Sequence, residues 1–337
     1  MMPTPAPRAA IAMDKAAAEA VLKPAARRRL REAVDLAPDV LDDFTTEAAL
    51  RTLATTEVLI TGWGCPPLDA AALARTPALR AVAHTAGSTR AHLTEACWAR
   101  GIEVSSAAAA NALPVAEYTL AMILLAGKRI LESARAYSRT RAREHWLLPD
   151  PHLGNYRRTV GILSASLIGR RVIELLRPHD LEVLLYDPYV DEAQAAALGA
   201  TKAALPELFA AADVVSVHTP LLPATRGLVG AAVLGAMREG ATLINTARGA
   251  VVDQDALTEA LVGGRIRAVL DVTEPEVLPR GHPLWECESV LLTPHLAGSQ
   301  GNELDRLADL AVSEVHRWAA GEGFAHAVRG DRRELLA

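Results

Sequence analysis

The sequence is poor in cysteine, in aromatic residues and in long uninterrupted apolar runs, and each shortage excludes a class of protein. Its three cysteines, Cys65, Cys97 and Cys287, are far apart and form no CxxC pair, which excludes a disulfide framework and a zinc-finger spacing. The longest apolar run, TLAMILLAG, falls well short of the ~20 residues that a membrane span needs. We therefore expect a cytoplasmic protein with reduced thiols, no membrane segment and no metal site.

An excess of positive charge is also missing. The formal net charge is −5, whereas nucleic-acid binding depends on neutralising phosphates with lysine and arginine. The one dense basic run, AARRRLRE at residues 25–32, is more simply the solvated face of a helix. The motifs HExxH, GxxxxGK(S/T) and GxSxG do not occur, which argues against zinc hydrolases, P-loop NTPases and serine hydrolases.

Short apolar runs alternate with helical patterns along the chain, as is typical of parallel α/β proteins. A chain of 337 residues exceeds what one hydrophobic core usually serves, so we expect two domains. In the first hundred residues the pattern predicts strands at 8–13, 57–63, 79–84 and 102–104, with helices near 26–35, 67–76 and 91–100. We expect this part to form a compact α/β unit.

A second series of strands follows one long helical pattern. Residues 111–140 have few breakers after Pro114, which suits a first helical turn, and predict a single helix. Beyond it the pattern predicts strands at 159–163, 182–186, 213–217, 241–245, 267–271 and 289–292. Six such strands with helices between them indicate a doubly wound parallel sheet.

The C-terminal segment carries one apolar stripe at helical spacing, which includes Leu304, Leu307, Ala311 and Val315. Because the second sheet is already complete, we expect this helix to pack on the N-terminal unit. The predicted organisation is a smaller, discontinuous, flavodoxin-like α/β domain (1–110 and 299–337), a Rossmann-type doubly wound domain (111–298) and a cleft between them.

The stretch TVGILSASLIG has the strand, turn and helix order of a phosphate-binding loop, but Ser164 and Ser166 stand where the first two glycines belong. Only the packing glycine, Gly169, is kept. The binding force comes mainly from backbone N–H groups at a helix N-terminus, here around Leu167 and Ile168, and Ser166 can add a hydroxyl donor. We therefore expect a nucleotide site despite the serines.

A second marker of a nucleotide site lies eighteen residues after Gly169. There the next strand ends at Asp187, where a carboxylate can accept from the ribose hydroxyls of adenosine and repel a 2′-phosphate. The two markers together favour NAD over NADP.

Three later loops each carry one polar residue of catalytic type. Arg248 follows the strand ending LIN, Glu276 follows DVTEP, and His295 lies in TPHLAG. Each alone is more often structural; as a set on successive loops of one sheet edge they suit the reduction of a 2-keto acid. Arg248 would hold the carboxylate, and His295 would donate the proton while Glu276 favours its charged form.

Four blocks of the second half carry a family resemblance: DVVSVHTPLLPATRGLVG, GATLINTARGAVVDQDALTEAL, VLDVTEPEVLP and HPLWECESVLLTPHLAG. In this order they resemble the D-isomer-specific 2-hydroxyacid dehydrogenases, NAD(P)-dependent enzymes that reduce 2-keto acids. The resemblance covers residues 79–300 well and the first 75 weakly. It implies the same catalytic roles for Arg248, Glu276 and His295.

The resemblance also assigns binding residues. It places the backbone amides near Gly87 and Ser88 on the substrate carboxylate, in a loop where Arg90 replaces the family's usual acidic residue. Trp146 and Tyr156 are candidates for shaping a substrate pocket. The implied cofactor-lining residues are His218, Thr219, Pro220, Thr246, Ala247, Asp271, which faces the nicotinamide amide, and Gly298.

Two alternatives share this scaffold. Formate-oxidising relatives replace the residue beside the histidine with glutamine, whereas this chain keeps Glu276. Dinucleotide-sensing corepressors resemble these dehydrogenases and retain the three residues, but they use long flexible tails that this chain lacks. The favoured interpretation is a homodimeric enzyme that pairs through the 111–140 region.

Overall fold

A computed structural model of the chain describes residues 5–142 and 153–328, and the chain divides into two compact units. Unit 1 comprises Met1–Asn111 and Ser299–Ala337, and unit 2 comprises Ala112–Gly298. Trp146, a candidate pocket residue, lies outside the described residues.

Residues 5–127 contain a five-stranded sheet and six helices. Its strands are β1 (Arg8–Ala12), β2 (Asp35–Leu41), β3 (Val58–Thr61), β4 (Ala81–His84) and β5 (Glu103–Ser106). The helices are α1 (Lys15–Val21), α2 (Pro24–Ala33), α3 (Glu47–Leu53), α4 (Ala70–Ala74), α5 (Glu95–Ala99) and α6 (Ala108–Gly127). All strand pairs are parallel, in the order β2-β1-β3-β4-β5.

Strand β2 was not predicted from the sequence. It contains Pro38, only two of its seven residues are buried, and the predicted helix at 26–35 overlapped its start. A proline cannot donate to a sheet ladder, so it is tolerated at the edge of a sheet, where β2 lies. An exposed edge strand lacks the apolar run by which the other strands are predicted.

The elements of unit 2 surround a seven-stranded parallel sheet. Its strands are β6 (Arg158–Leu163), β7 (Leu181–Tyr186), β8 (Thr201–Lys202), β9 (Val214–Val217), β10 (Thr242–Asn245), β11 (Arg267–Leu270) and β12 (Val290–Leu292). The helices are α7 (Ile130–Thr140), α8 (Leu167–Leu176), α9 (Glu192–Leu198), α10 (Leu205–Ala211), α11 (Ala231–Ala236) and α12 (Gln254–Val262). Short 3₁₀ turns lie at Gly249–Val251 and Pro283–Trp285.

The strand orders confirm the predicted fold class. The order β12-β11-β10-β9-β6-β7-β8 is that of a Rossmann sheet with one strand added, and the order in unit 1 is the flavodoxin-like one. The sheet has seven strands and not the predicted six, because β8 is only two exposed residues long and leaves no pattern in the sequence.

The last helix, α13 (Leu304–Ala319), follows a 3₁₀ turn at Gly301–Glu303 and packs on α1, α2, β4 and β5 of unit 1. Its apolar stripe joins a core cluster through Leu307, Val312, Val315 and Trp318. The Trp318 indole Nε1 also donates to Glu103 Oε1 at 3.0 Å.

The predicted single helix at 111–140 is wrong in two respects. It begins earlier, at Ala108, so Pro114 lies inside α6 and not in its first turn. It also ends at Gly127, because Arg129 adopts a left-handed backbone (φ 49°) before α7 starts. At Gly127 the Asn155 side chain occupies the place that a Cβ would take, which fixes the chain at this break.

Helix α6 is long and apolar enough to cross a membrane by length and composition alone. The longest uninterrupted apolar run in the sequence, TLAMILLAG, covers only the C-terminal part of this helix. Almost half of the helix is buried, however, and Ala116 and Ile123 belong to a core cluster of unit 2. It packs as the core helix of a globular unit.

Each unit buries a neutral histidine. His84 ends β4, accepts or donates one hydrogen bond at 2.9 Å between Nδ1 and Thr61 Oγ1, and has no partner at Nε2. Burial, reinforced by neighbouring His92, lowers the pKa of His84 to about 3. Burial likewise lowers the pKa of His218 in unit 2 to about 3.

These pKa values predict acid destabilisation. Between about pH 6.5 and pH 3 the unfolded chain binds a proton that buried His84 does not, so stability falls as pH falls through this window. From pH 7 to pH 5 the expected loss is about 2 kcal/mol for one such histidine.

The measurement is denaturant unfolding at pH 7 and pH 5, followed by tryptophan fluorescence, to which unit 1 contributes Trp63, Trp98 and Trp318. The His84→Gln variant, whatever its stability at pH 7, should lose about 2 kcal/mol less than the parent between the two pH values. An equal loss in both proteins would contradict the prediction.

Candidate active site

The register of the unit 2 sheet brings the ends of its strands to one level. Leu163 of β6 is paired with Tyr186 of β7 and with Val217 of β9. Asn245 of β10 is paired with Val217 and with Leu270, and Leu270 is paired with Leu292 of β12. The residues that follow these strands therefore lie side by side at the carboxyl edge, where doubly wound sheets bind ligands.

The loop between β6 and α8 has the construction of a phosphate site. Ser166 caps α8, because its Oγ accepts from Gly169 N at 3.2 Å, and the first amide groups of the helix, on Leu167 and Ile168, are those a helix leaves without internal partners. A Cβ on Gly169 would lie 2.0 Å from the Ser164 carbonyl oxygen, so this glycine is required for the close helix-to-strand packing.

Asp187 directly follows β7 beside this loop. Its carboxylate accepts hydrogen bonds from Ala165 N at 2.8 Å and from Tyr189 N at 2.8 Å. A helix N-terminus, a packing glycine and an adjacent carboxylate are the parts that a dinucleotide pyrophosphate and ribose require. These residues therefore fit NAD.

The other predicted cofactor residues line the same edge. His218 and Pro220, just after β9, and Thr246 and Ala247, just after β10, are all buried. His218 Nε2 bonds Ser216 Oγ at 3.0 Å, while its Nδ1 is buried without a partner. Gly298 is half-buried at the C-terminal limit of unit 2. Their contacts with a cofactor stay predictions.

Arg248 lies in a turn that Asn245 shapes. The Asn245 side chain accepts from Ala247 N and donates to Arg248 O, both at 3.0 Å. The half-buried Arg248 side chain donates from Nη1 to the Ala247 carbonyl at 2.6 Å. The turn thus holds Arg248 at the carboxyl edge, next in sequence to the predicted cofactor residues Thr246 and Ala247.

The next residue, Gly249, packs against the segment that leads to Glu276. A Cβ on Gly249 would lie 2.1 Å from both the carbonyl carbon and the oxygen of Thr273. The Thr273 hydroxyl donates to the carbonyls of Pro275 (2.7 Å) and Glu276 (3.1 Å), which fixes this segment. The Arg248 turn and the Glu276 loop are therefore in direct backbone contact.

His295 and Glu276 are hydrogen-bonded to each other. The distance from His295 Nδ1 to Glu276 Oε1 is 2.5 Å, and the side chains are 49% and 55% exposed. The bond engages Nδ1 and leaves Nε2 as the ring nitrogen available to a ligand. The pair predicted from two distant motifs is formed.

Asp271 is buried (2% exposed) and holds the loop that carries His295. Its Oδ1 accepts from Thr293 Oγ1 at 2.6 Å and from Leu296 N at 2.8 Å, and its Oδ2 accepts from Ala297 N at 2.9 Å. The Asp271 carboxylate, which was predicted to face the nicotinamide amide, thus makes its hydrogen bonds mainly within the protein.

The sequence reasoning missed two residues of this network. The hydroxyl oxygen of Tyr118 on α6 lies 3.0 Å from Thr293 Oγ1, and the Thr293 hydroxyl donates to Asp271. Burial raises the pKa of Tyr118, so its hydroxyl stays a donor. No sequence motif links α6 to the His295 loop, although Thr293 is part of the TPH segment.

The predicted substrate loop belongs to unit 1. Gly87 and Ser88 are half-buried in the loop after β4, which follows the buried His84 and Thr85. Tyr156, in unit 2, is exposed and lies under the Arg157 guanidinium at 5.0 Å. The substrate contacts of these residues stay predictions.

A depression lies at the opposite, amino edge of the unit 2 sheet. It is lined by the starts of β6, β9 and β10 and contains Arg158, Asp213 and Arg238, with an Arg158–Asp213 ion pair at 2.9 Å. Because ligands of parallel sheets bind at the carboxyl ends of the strands, we assign the site to the other edge.

Comparison with known proteins gives a consistent family. The family model "D-isomer specific 2-hydroxyacid dehydrogenase, NAD binding domain" matches residues 120–297, more than half of the chain. The matched span contains Asp187, Arg248, Glu276 and His295.

Individual relatives agree with that match. The D-3-phosphoglycerate dehydrogenase of Mycobacterium tuberculosis is 35% identical over 266 residues, which cover 77% of this chain and 49% of that protein. The glyoxylate reductase of Korarchaeum cryptofilum is 34% identical over 260 residues, 76% of this chain and 78% of that protein. This chain spans about half the length of the phosphoglycerate dehydrogenases that it matches.

Among solved structures, Rhodotorula graminis D-mandelate dehydrogenase superposes with a TM-score of 0.80 at 25% identity. The alignment covers 96% of this chain and 98% of that one. The likeness therefore extends over both units and not only over the matched domain.

The backbone contact at Gly249 yields a stability prediction. Gly249→Ala forces a Cβ into the Thr273 carbonyl group and should destabilise unit 2 by about 3 kcal/mol, at the upper end of overpacking costs. The matched control is Gly235→Ala in α11, where a Cβ meets nothing within 4 Å and alanine is the better helix former. Thermal unfolding should show a lower Tm for the first variant only; an unchanged Tm for Gly249→Ala would refute the contact.

Proposed function

The chain belongs to the D-isomer-specific 2-hydroxyacid dehydrogenase family, and on that premise we propose that it is an NAD-dependent oxidoreductase that reduces a 2-keto acid to a D-2-hydroxy acid. The predicted family and NAD as its cofactor are confirmed by the domain match. The observation that carries the proposed activity is the His295–Glu276 hydrogen bond on the strand edge that also holds Arg248.

In this proposal His295 is the acid–base residue. Glu276 engages Nδ1, so that Nε2 donates the proton to the oxygen of the substrate carbonyl. The exposure of both side chains leaves room for a small acid to approach them.

Arg248 is the proposed anchor of the substrate carboxylate. A guanidinium matches a carboxylate through two parallel hydrogen bonds, and Gly249 ties the Arg248 turn to the loop of Glu276. The bond from Arg248 Nη1 to the Ala247 carbonyl would be exchanged for the substrate. Gly87 and Ser88 are proposed to add backbone amide donors from unit 1.

When NADH is bound, it would supply the hydride that reduces the carbonyl carbon. The proposed holders are the N-terminal amides of α8 at Leu167 and Ile168 with Ser166 for the pyrophosphate, and Asp187 for the adenosine ribose. The residues proposed to line the nicotinamide side are His218, Pro220, Thr246, Ala247, Asp271 and Gly298.

The proposed assembly is a homodimer that pairs through α7. This amphipathic helix has no buried residue, and Ile130 (44%) and Tyr137 (63%) are exposed at helical spacing. An apolar stripe of this kind is stable when another surface covers it, and a second copy supplies the same stripe.

The proposed location is the cytoplasm. Cys65, Cys97 and Cys287 are all free, as in proteins of a reducing compartment. Burial raises the pKa of the Cys65 thiol to about 12, which keeps it an unreactive core residue.

The activity is tested by following NADH absorbance with glyoxylate, pyruvate, hydroxypyruvate and phenylpyruvate. At least one should be turned over, and chiral analysis should show the D product. His295→Gln should lower kcat by a factor of about 100 to 10,000, since it removes the proton donor. Its dissociation constant for NADH, measured by fluorescence, should stay within about twofold, since the cofactor is held elsewhere.

The control is His326→Gln, an exposed histidine in unit 1, which should keep the turnover of the parent. A His295→Gln variant as fast as the parent would exclude His295 as the donor. Tight NADH binding without turnover of any keto acid would favour the dinucleotide-sensing alternative.

The dimer is tested by light scattering, which should give twice the chain mass of 35.8 kDa. Replacing both Ile130 and Tyr137 with arginine should give a monomer, because it places two charges on the proposed interface. Val262→Arg, at an exposed apolar residue of α12, is the control and should keep the dimer mass. A monomer mass for the parent chain would remove the proposal.

A further inference from the structure

Ser164 occupies the first glycine position of the phosphate-binding loop with a strained backbone. Its φ of 79° lies in the left-handed region, where a residue with a Cβ is less stable than glycine by roughly 1 kcal/mol. Its N–H donates to Tyr186 O at 2.8 Å, and its hydroxyl donates to Asp187 Oδ2 at 3.3 Å. A side-chain bond thus helps to hold a conformation that glycine would adopt freely.

The Asp187 carboxylate is almost fully used by this arrangement. It is 7% exposed, and it accepts from Ala165 N and Ser164 Oγ at Oδ2 and from Tyr189 N at Oδ1. A carboxylate offers about four lone-pair sites, and three are therefore occupied. One site remains for any further donor.

Two donors can reach this carboxylate when adenosine binds: the ribose 2′-hydroxyl, which bonds the acidic residue at this strand end, and the 3′-hydroxyl beside it on the same face of the ring. Two of the three present donors are backbone amides of the loop and of the turn after β7, which move only with the backbone. The third, the Ser164 hydroxyl, rotates freely about one bond and makes the longest contact. It is therefore the donor that is most easily displaced.

We propose that the Ser164 hydroxyl competes with the adenosine ribose for Asp187, so that Ser164 sets the affinity for NAD and the discrimination between NAD and NADP. The inference rests on the ribose-binding role of Asp187 in the proposed function. It assigns to Ser164 a second effect beyond loop geometry: in the cofactor-free protein the hydroxyl occupies part of the nucleotide site.

The test is Ser164→Ala, which removes the hydroxyl and keeps both the Cβ and the left-handed strain. NADH should bind about fivefold more tightly, which is the worth of one modest hydrogen bond, about 1 kcal/mol. NADPH should not gain, because its 2′-oxygen carries a phosphate and its one remaining ribose hydroxyl can use the acceptor site that is already open. The ratio of the two dissociation constants, from titrations of nucleotide fluorescence, should therefore change about fivefold in favour of NADH.

The matched control is Ser166→Ala in the same loop. Its hydroxyl oxygen accepts from Gly169 N and does not touch Asp187, so its loss should leave the NADH-to-NADPH ratio within about twofold. Thermal unfolding of Ser164→Ala without nucleotide confirms that the variant is folded.

Two results would overturn the inference. Equal tightening of NADH and NADPH would mean that the whole loop has relaxed, and unchanged or weaker NADH binding would mean that the hydroxyl does not compete. The Asp187→Ala variant distinguishes a failure of this inference from a failure of the proposed function. If it weakens NADH while Ser164→Ala changes nothing, only the inference fails; if Asp187→Ala leaves NADH binding unchanged, the ribose assignment itself fails.

Discussion

The candidate catalytic site depends on the hydrogen bonds that the buried carboxylate of Asp271 accepts. It ties together the loop after β12 by accepting from a threonine hydroxyl and from two consecutive backbone amides, Leu296 N and Ala297 N. The backbone of the same residue accepts from His295 N at 2.9 Å. His295 is itself exposed, so its position relative to Glu276 is determined by this buried anchor and not by packing around the imidazole.

Much of the fold could be predicted because buried parallel strands are nearly continuous apolar runs. Those runs identified four strands of unit 1 and six of unit 2. Strand β2 and the two-residue β8 escaped because exposed edge strands make few demands on their sequence. The break at Arg129 escaped for another reason: the contact beside it, between Gly127 and Asn155, joins residues that are far apart in sequence.

The residues of the candidate site likewise include some that could be predicted from the sequence and some that could not. Residues that directly follow a strand, such as Asp187 and Asp271, could be predicted because the register of a parallel sheet aligns strand ends. Tyr118 could not, because its contact with Thr293 joins a helix to a loop far away in sequence. The bond between His295 and Glu276 was anticipated from chemistry, as two groups that complete one proton-transfer pair.

Asp187 and Asp271 of unit 2 stabilise strained loops in the same way. Ser164 and His295 both have left-handed backbones, at φ 79° and 51°, where residues other than glycine are strained. Each precedes an amide group that donates to a buried carboxylate, Ala165 N to Asp187 and Leu296 N to Asp271. A charged acceptor strengthens such bonds to about twice those of neutral groups, enough to offset roughly 1 kcal/mol of strain. Each aspartate therefore stabilises the backbone of its adjacent loop, independently of any contact that it makes with a ligand.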